Sequence, residues 1–500
     1  MAKTGGAEGT RVGFGGHPKG LATLFFAELW ERFSYYGMRA LLTLFMVAPA
    51  AIGGLGLSTQ DAALIYGNYT MAVYMLAIPG GFMADAYLGP KRAVMAGGVT
   101  IALGHYSMAV PTIETFYAGL VLIALGTGLF KPSISALVGG LYGDNDPRRD
   151  SGFSIFYMGI NIGGLLAPIV TGFLAQSATF KGWLASNGFD PALSWHWGFG
   201  AAGVGMTLAL AIIGSRYSLL GGAGTQAVAS SRLEVKSRGL VLGAVVAGTL
   251  ALMGLVVLSD REGFTWLRYG FVLVPALLAI WFGLSGRIDI RRLAAICVLF
   301  VAAMLFWAIF EQAGVTLSLF ADQLSRHEVL GFAFPSAWYQ SLNSLFVILL
   351  APFFAWFWLR TDIHQPSSPM KFALGLGFLS ASFLLMVPAA MLTAEGRVSP
   401  LWLVGLFFLQ TVGELLLSPV GLSTMTKLAP ARAVSLVLGV WFLAAALGNK
   451  LAGVLGSGFT STDPQSLASF FLWQAGFVAA AALVLFALTP WVKRLMGGVN

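Results

Sequence analysis

The sequence has little charge, a single cysteine and no Gly-Lys dipeptide, and each scarcity excludes a class of protein. Charged residues make up 10% of the 500 residues, 57% are hydrophobic, and the mean hydropathy is +0.80. Soluble globular proteins carry about 25% charged residues, so the composition indicates a polytopic membrane protein. With Cys297 alone, the chain can form no intramolecular disulfide and no thiolate metal cluster.

The missing Gly-Lys dipeptide excludes a Walker A loop and with it an ATP-driven pump or nucleotide-using membrane enzyme. A net charge of +8 also fits nucleic-acid binding, but the basic residues lie in short loops between apolar segments. We therefore expect the lipid bilayer, and no nucleic acid, as a partner. An ion channel is disfavoured as well, because an open pore needs no paired charges that exchange partners.

Apolar stretches of about 20 residues predict fourteen membrane-spanning helices in a six, two and six arrangement. They lie near residues 21–51, 62–86, 93–111, 115–139, 152–176, 196–215, 239–258, 268–286, 293–321, 336–358, 371–393, 400–419, 433–457 and 467–490. We expect an N-terminal six-helix bundle at 1–216, a linker with two additional transmembrane helices at 217–290, and a C-terminal six-helix bundle at 291–500.

The basic residues predict the orientation of these helices. Of 29 Lys and Arg residues, 20 lie at the termini and in one set of alternate loops, and 5 lie in the other set. By the positive-inside rule, we expect both termini to be cytoplasmic. Lys450 lies within a span about 18 residues beyond Arg432, and we expect it to snorkel towards the outer face.

The first predicted span contains four charged residues, which insertion scales penalise by roughly 2.5–3.5 kcal/mol each. At 100° per residue these charges share one arc of the helix with two tyrosines. One alternative is a set of internal salt bridges that only holds helices together. The tyrosines favour a polar, water-facing side instead. The six residues are Glu28, Glu31, Arg32, Tyr35, Tyr36 and Arg39.

Three further charges stand in apolar spans, namely Lys131, Glu311 and Glu414. The intramembrane set then holds four carboxylates against three bases, a surplus of one negative charge. One bound proton would neutralise this surplus. We therefore hypothesise that protonation of a carboxylate releases its basic partner, so that proton and substrate together bias a conformational equilibrium.

Several motifs carry a family resemblance. The loop GFMADAYLGPKR at 81–92 resembles the cytoplasmic motif of the major facilitator superfamily. Five further segments resemble the proton-coupled oligopeptide transporter family of that superfamily, and the correspondence runs from about Leu21 to Gly458. They are ELWERFSYYG at 28–37, FYMGINIGG at 156–164, GLFKPS at 128–133, FWAIFEQ at 306–312 and GELLLSPVGLS at 413–423.

The resemblance implies an all-α major facilitator superfamily fold of two six-helix bundles, with the two extra helices of bacterial members between them. It implies a proton-coupled symporter that takes up di- and tripeptides across the bacterial inner membrane by alternating access. Such a carrier uses no metal or other cofactor, is driven by protons, and functions as a monomer. Animal members have a histidine in the second helix, which 62–86 lacks here, so coupling would depend on carboxylates.

The resemblance also implies a role for each matching residue. The peptide carboxylate would be held by Arg32, Tyr36 and Lys131, the amino terminus by Glu414, Asn161 and Asn343, and side-chain pockets would be lined by Tyr35, Tyr74, Trp307 and Trp441. An extracellular-side salt bridge would join Arg39 to Glu311, and a second pair, exchanged with substrate, would join Lys131 to Glu414. Glu28, Glu31 and Arg32 would take part in proton coupling.

The chemistry of these residues fits a zwitterion of limited length. Two or three residues span roughly 7–11 Å, and a guanidinium with phenols suits a carboxylate, as a carboxylate with amides suits an ammonium. The alternative is a related proton-coupled carrier of another small zwitterion or anion, such as an amino acid, nitrate or a peptide-like drug. Glu414 with its two asparagines favours a substrate amine, which counts against nitrate.

Overall fold

Most of the residues that the structure describes lie in helices. The computed structural model describes residues 13–143, 146–223, 235–261, 263–266, 289–361, 364–429 and 434–497. Within these ranges, 11 helical segments are long and apolar enough to cross a membrane. The prediction of an all-α polytopic membrane protein is confirmed.

The described residues up to Ser215 form eight α-helices. They are α1 (Lys19–Val47), α2 (Thr59–Met75), α3 (Ala77–Met83), α4 (Pro90–Met108), α5 (Ile113–Gly140), α6 (Arg149–Gln176), α7 (Ala178–Ser186) and α8 (Ser194–Ser215). Local chemistry sets several of their ends. The Thr112 hydroxyl accepts the Thr115 N–H at the start of α5, and Pro90 occupies the first position of α4, where its missing N–H costs nothing.

Eight more α-helices lie in the described residues from Val235 onwards. They are α9 (Val235–Leu258), α10 (Ile290–Phe310), α11 (Thr316–Leu324), α12 (Ser341–Thr361), α13 (Ser368–Leu392), α14 (Leu401–Leu428), α15 (Val434–Gly456) and α16 (Pro464–Leu495). Each predicted span within the described ranges has a helical counterpart. The predicted span 268–286 lies outside the described residues.

Two features of the second half are absent from the sequence expectation. The predicted span 293–321 is broken by a 3-10 turn at Glu311–Gly314, which separates α10 from α11. A two-stranded hairpin pairs β1 (Glu328–Val329) with β2 (Phe332–Ala333). Its turn places Leu330 and Gly331 at positive φ, a conformation that favours glycine. The hairpin lies between α11 and α12, where the sequence predicts only a loop between two spans.

The helices form two compact units that do not follow the order of the chain. The first unit comprises the described residues of Met1–Met38, Leu76–Ala167 and Phe199–Ala247. The second comprises those of Arg39–Met75, Pro168–Gly198 and Gly248–Asn500. Helices α1 and α6 therefore each contribute to both units. The predicted N-terminal bundle at 1–216, linker at 217–290 and C-terminal bundle at 291–500 stay a prediction.

The first unit is packed around an apolar cluster from five helices. Its fully or nearly fully buried members include Leu24, Val94, Phe130, Phe156 and Met206. Helices α4 and α5 approach so closely that a Cβ added at Gly97 would lie 2.6 Å from the Gly126 carbonyl oxygen. This contact fixes the position of α5, the helix that carries Lys131.

Candidate functional site

The charged residues of α1 form a tight ion cluster in the first unit. The Arg32 Nε lies 2.5 Å from Glu31 Oε2 and its Nη2 lies 2.7 Å from Glu31 Oε1. The same Nε lies 3.3 Å from Glu28 Oε1. All three side chains are buried, at 5% exposure or less. A guanidinium that faces two carboxylates offsets much of the desolvation that burial imposes.

Aromatic and basic groups complete this arrangement. The Arg32 guanidinium carbon lies 5.1 Å from the centroid of the Tyr35 ring, and Tyr36 stands edge-on to Tyr35 at 5.4 Å. Lys131 of α5 lies within electrostatic range of the Glu28 carboxylate. We call Glu28, Glu31, Arg32 and Lys131 the Arg32 cluster. With every member ionised, this cluster has no net charge.

The two carboxylates of the Arg32 cluster differ in how well they are bonded. Both oxygens of Glu31 accept hydrogen bonds from Arg32. Glu28 faces Arg32 with one oxygen, while its buried Oε2 has no hydrogen-bond partner among the described residues. A buried acceptor without a donor is costly. Of the two carboxylates, Glu28 is therefore the one whose unsatisfied charge a bound proton would remove.

Close packing of α6 against α1 supports the Arg32 cluster. A Cβ added at Gly163 would lie 3.0 Å from the Phe33 nitrogen and 3.1 Å from the Arg32 Cβ. Only glycine lets the α6 backbone approach this turn without displacement. Asn161 lies two residues earlier, where its side chain is buried and donates to the Tyr157 carbonyl oxygen at 3.0 Å.

The second unit places a carboxylate beside an amide. The Asn343 Nδ2 donates to Glu414 Oε2 at 2.9 Å and lies 3.1 Å from the Thr411 hydroxyl. Arg39 and Glu311 lie within electrostatic range of Glu414. We call Arg39, Glu311, Asn343 and Glu414 the Glu414 cluster. With its ionisable members charged, it has a net charge of −1.

The predicted ion pair between Arg39 and Glu311 is present in the second unit. The Arg39 Nε also donates to the Tyr66 hydroxyl at 2.5 Å, and the Thr43 hydroxyl donates to the Gly314 carbonyl oxygen at 2.6 Å. Arg39 and Thr43 of α1 thus contact the first and the last residue of the 3-10 turn between α10 and α11. The role of this ion pair as a gate stays a prediction.

The predicted aromatic residues occupy different surroundings. Trp441 is buried and stands edge-on to Phe372 at 6.2 Å. Trp307 packs edge-on against Phe310 at 5.4 Å, and its Nε1 has no hydrogen-bond partner in the described part of the chain. Tyr74 is half-buried on α2. Their contribution to side-chain pockets stays a prediction, as does the pairing of Lys131 with Glu414.

The expectation that Lys450 snorkels outward is wrong. Lys450 is fully buried, and its ammonium lies 2.5 Å from Asp260 Oδ2 and 2.6 Å from Asn68 Oδ1. A carboxylate reaches the lysine from the connection after α9, so the charge needs no route to water. When Lys450 and Asp260 are both added to the intramembrane count, five carboxylates face four bases. The surplus of one negative charge is unchanged.

Sequence reasoning missed the residues that support the ion pairs. Tyr66 and Thr43 contact the pair and the turn beside Arg39, and Asp260 with Asn68 surrounds Lys450. A signal existed for Asp260, because an unmatched lysine within a span calls for an acid nearby. No comparable signal identifies Tyr66, since tyrosines are common in membrane helices. No group of three His, Cys, Asp or Glu side chains among the described residues is placed to hold a metal ion.

Comparison with known proteins gives one consistent result. The model of the POT family matches residues 91–217 and 245–488. The chain is 41% identical to the peptide transporter YePEPT of Yersinia enterocolitica subsp. palearctica serotype O:3, over 97% of each chain. It is 35% identical to a di-/tripeptide transporter of Lactococcus lactis subsp. cremoris, over 98% of this chain and 99% of that one. A crystal structure of a peptide transporter POT in complex with alafosfalin superposes with a TM-score of 0.86, at 40% identity over 98% of both chains.

Proposed function

The chain belongs to the POT family and has its major facilitator superfamily fold, and on that premise we propose that it is a proton-coupled symporter of di- and tripeptides. It is a secondary transporter and not an enzyme. Relatives named as peptide and di-/tripeptide transporters support the substrate class. The observation that carries the coupling mechanism is the difference in charge between the Arg32 cluster and the Glu414 cluster.

The Arg32 cluster, being neutral, has no excess charge with which to hold a peptide carboxylate. A proton bound to Glu28 gives the cluster a charge of +1 and removes one of the two carboxylates that face Arg32. Arg32 and Lys131, with the Tyr36 hydroxyl, then hold the peptide carboxylate, and the cluster is neutral again. The carboxylate therefore binds well only after the proton, which is the requirement of symport.

The Glu414 cluster needs no proton to receive an ammonium group. Its net charge of −1 is neutralised by the amino terminus of the peptide, which Glu414, Asn343 and Asn161 hold. The partly buried Glu414 carboxylate already accepts from an amide with one oxygen, and its second oxygen can accept from an ammonium group. Aromatic walls from Tyr35, Tyr74, Trp307 and Trp441 take varied side chains by stacking and apolar burial.

Several finer points belong to the same proposal. The chain is a multi-pass membrane protein of a bacterial transporter family. We place it in the inner membrane with both termini cytoplasmic, because 20 of its 29 basic residues lie at the termini and in one set of loops. Protons drive it without a cofactor, and the monomer carries both charged clusters and is the functional unit.

The substrate class is tested by uptake into proteoliposomes. Purified protein is reconstituted with an alkaline interior, and accumulation of labelled dialanine is measured with and without a protonophore. We expect accumulation that the protonophore abolishes. Unlabelled di- and trialanine should compete, whereas alanine, tetra-alanine, N-acetyl-dialanine and dialanine amide should not.

The competitors separate the two candidate functions. Strong competition by free alanine would favour a carrier of amino acids. Equal competition by the N-acetylated and the free dipeptide would contradict the role of Glu414 at the amino terminus. Accumulation that is unaffected by the protonophore would contradict proton coupling.

A further inference from the structure

A second buried charge site lies in the second unit, apart from the clusters above. Lys450 of α15, Asn68 of α2 and Asp260 after α9 form a closed triangle, which we call the Lys450 cluster. The Lys450 ammonium donates to both partners, and the Asn68 amide donates to Asp260 Oδ2 at 3.0 Å. The lysine is fully buried, and the Asp260 carboxylate offsets part of the desolvation of its charge.

The Lys450 cluster lies where α2 and α15 are in closest contact. A Cβ added at Gly67 would lie 2.9 Å from the Gly453 Cα, and one added at Gly453 would lie 2.5 Å from the Ala63 carbonyl oxygen. Asn68 follows Gly67 directly, and Lys450 is one helical turn before Gly453. The triangle therefore holds together two helices whose backbones already touch.

The third corner of the triangle comes from the inserted helix α9. Most apolar side chains of α9 are exposed, including Leu240, Leu250 and Leu255, but Val256 and Ser259 at its end are fully buried. Asp260 follows this buried end at once. The described part of the insertion thus docks through its last turn, and the charged contact of that turn is with Lys450.

We propose that Asp260 is a positioning residue through which the inserted helix holds α2 against α15. Removing its carboxylate takes away the acid that lies 2.5 Å from the buried Lys450 ammonium, and we expect α2 and α15 to separate more often and admit water. The insertion then sets how often this contact opens. Because α2 and α15 come from opposite halves of the chain, the opening rate enters the transport cycle.

Cysteine labelling measures this opening directly. Cys297 is the single cysteine, so a Cys297→Ala background allows one reporter thiol. Met71 is fully buried on α2, one turn beyond Gly67, and Met71→Cys puts a smaller side chain there. The reaction rate with N-ethylmaleimide is measured in proteoliposomes for Asp260→Asn, Lys450→Met and the double variant. The control is Asp61→Asn, an exposed acid in the first turn of α2.

We expect Asp260→Asn to raise the labelling rate at least fivefold and Asp61→Asn to leave it within twofold. The double variant, which buries no unmatched charge, should label at least twofold faster than the parent but slower than Asp260→Asn. Labelling of Asp260→Asn within twofold of the parent would overturn the proposal. If Asp260→Asn fails to fold, the double variant decides. A folded double variant that labels at the parent rate, or one that also fails to fold, overturns it.

A second measurement separates positioning from substrate binding, and it rests on the proposed transport function. Counterflow of labelled dialanine in Asp260→Asn should change in kcat by threefold or more, with KM within twofold of the parent. A rise in KM with unchanged kcat would place Asp260 in substrate binding and overturn the positioning role. Failure of transport in the parent itself would instead contradict the proposed function.

Discussion

The two units handle buried charge in different ways. In the first unit, Glu28, Glu31 and Arg32 lie within five residues of one helix, and Arg32 pairs with both acids. In the second unit, Arg39 pairs with Glu311 and Lys450 pairs with Asp260, partners that are 272 and 190 residues apart. A proton can change the first arrangement without moving any helix. The second arrangement can open only when helices separate.

The comparison suggests a division of labour. On the proposed mechanism, the Arg32 cluster, whose ion pairs lie within α1, binds the proton and the substrate carboxylate, while the interhelical pairs hold a conformation. Each prediction below tests one side of this division.

The largest effect is expected from breaking the interhelical pair of Arg39. Arg39→Ala leaves Glu311 buried without its cation, and removal of one member of a buried pair costs about 3–5 kcal/mol. We expect a markedly lower melting temperature in detergent for Arg39→Ala. The double variant Arg39→Ala, Glu311→Ala should recover much of the loss. Equal melting of Arg39→Ala and the parent would show that the pair does not hold the helices.

Glu414→Gln should have the next largest effect, and on transport more than on stability. The amide keeps the size of the side chain but loses a charged hydrogen bond to the peptide ammonium, worth about 1.5–3 kcal/mol. KM for dialanine should rise about 10- to 100-fold, and discrimination against N-acetyl-dialanine should disappear. Glu395→Gln, at an exposed turn, is the matched control and should transport normally. If Glu414→Gln still discriminates fully against N-acetyl-dialanine, Glu414 does not bind the amino terminus of the peptide.

Gly163→Ala tests whether the Arg32 cluster depends on its packing. The added methyl meets the α1 backbone and the Arg32 Cβ, and overpacking of this kind costs about 1–3 kcal/mol. We expect a lower melting temperature and weaker proton-driven uptake. Gly182→Ala, where an added Cβ meets nothing within 4 Å, should behave as the parent. A Gly163→Ala variant that is as stable and as active as the parent would show that the Arg32 cluster does not depend on this contact.

The smallest effect is expected at an exposed ion pair outside the membrane. Hydrogen bonds from the Arg148 side chain and backbone N–H lower the pKa of Asp146 from 3.8 to about 2. A lowered carboxyl pKa contributes stability above pH 3.8 that is lost as the pH falls towards 2. Asp146→Asn should therefore shift melting by the same small amount at pH 8 and pH 5, and by less at pH 3. A shift that grows from pH 8 to pH 5 would contradict this.

The same comparison shows how far the sequence could predict the molecule. Helical spacing alone places Glu28, Glu31 and Arg32 on one face, and local bonds then complete the cluster. The partner of Arg39 required the family resemblance, because no spacing relates α1 to Glu311. The partner of Lys450 was missed, because a lysine within a span indicates that an acid lies nearby but does not indicate which of the loop acids it is. Long apolar runs predicted the helices. They could not predict the turn at Glu311–Gly314, because that turn is held by contacts with α1, which is distant in sequence.

The central claim is that Glu28 carries the proton that prepares the Arg32 cluster for a peptide carboxylate. The most direct test measures two activities of Glu28→Gln in the same proteoliposomes, namely dialanine exchange without a gradient and accumulation driven by a proton gradient. The neutral amide mimics the protonated acid, so exchange should remain within severalfold of the parent while gradient-driven accumulation is lost. Accumulation by Glu28→Gln at the parent level would contradict the account.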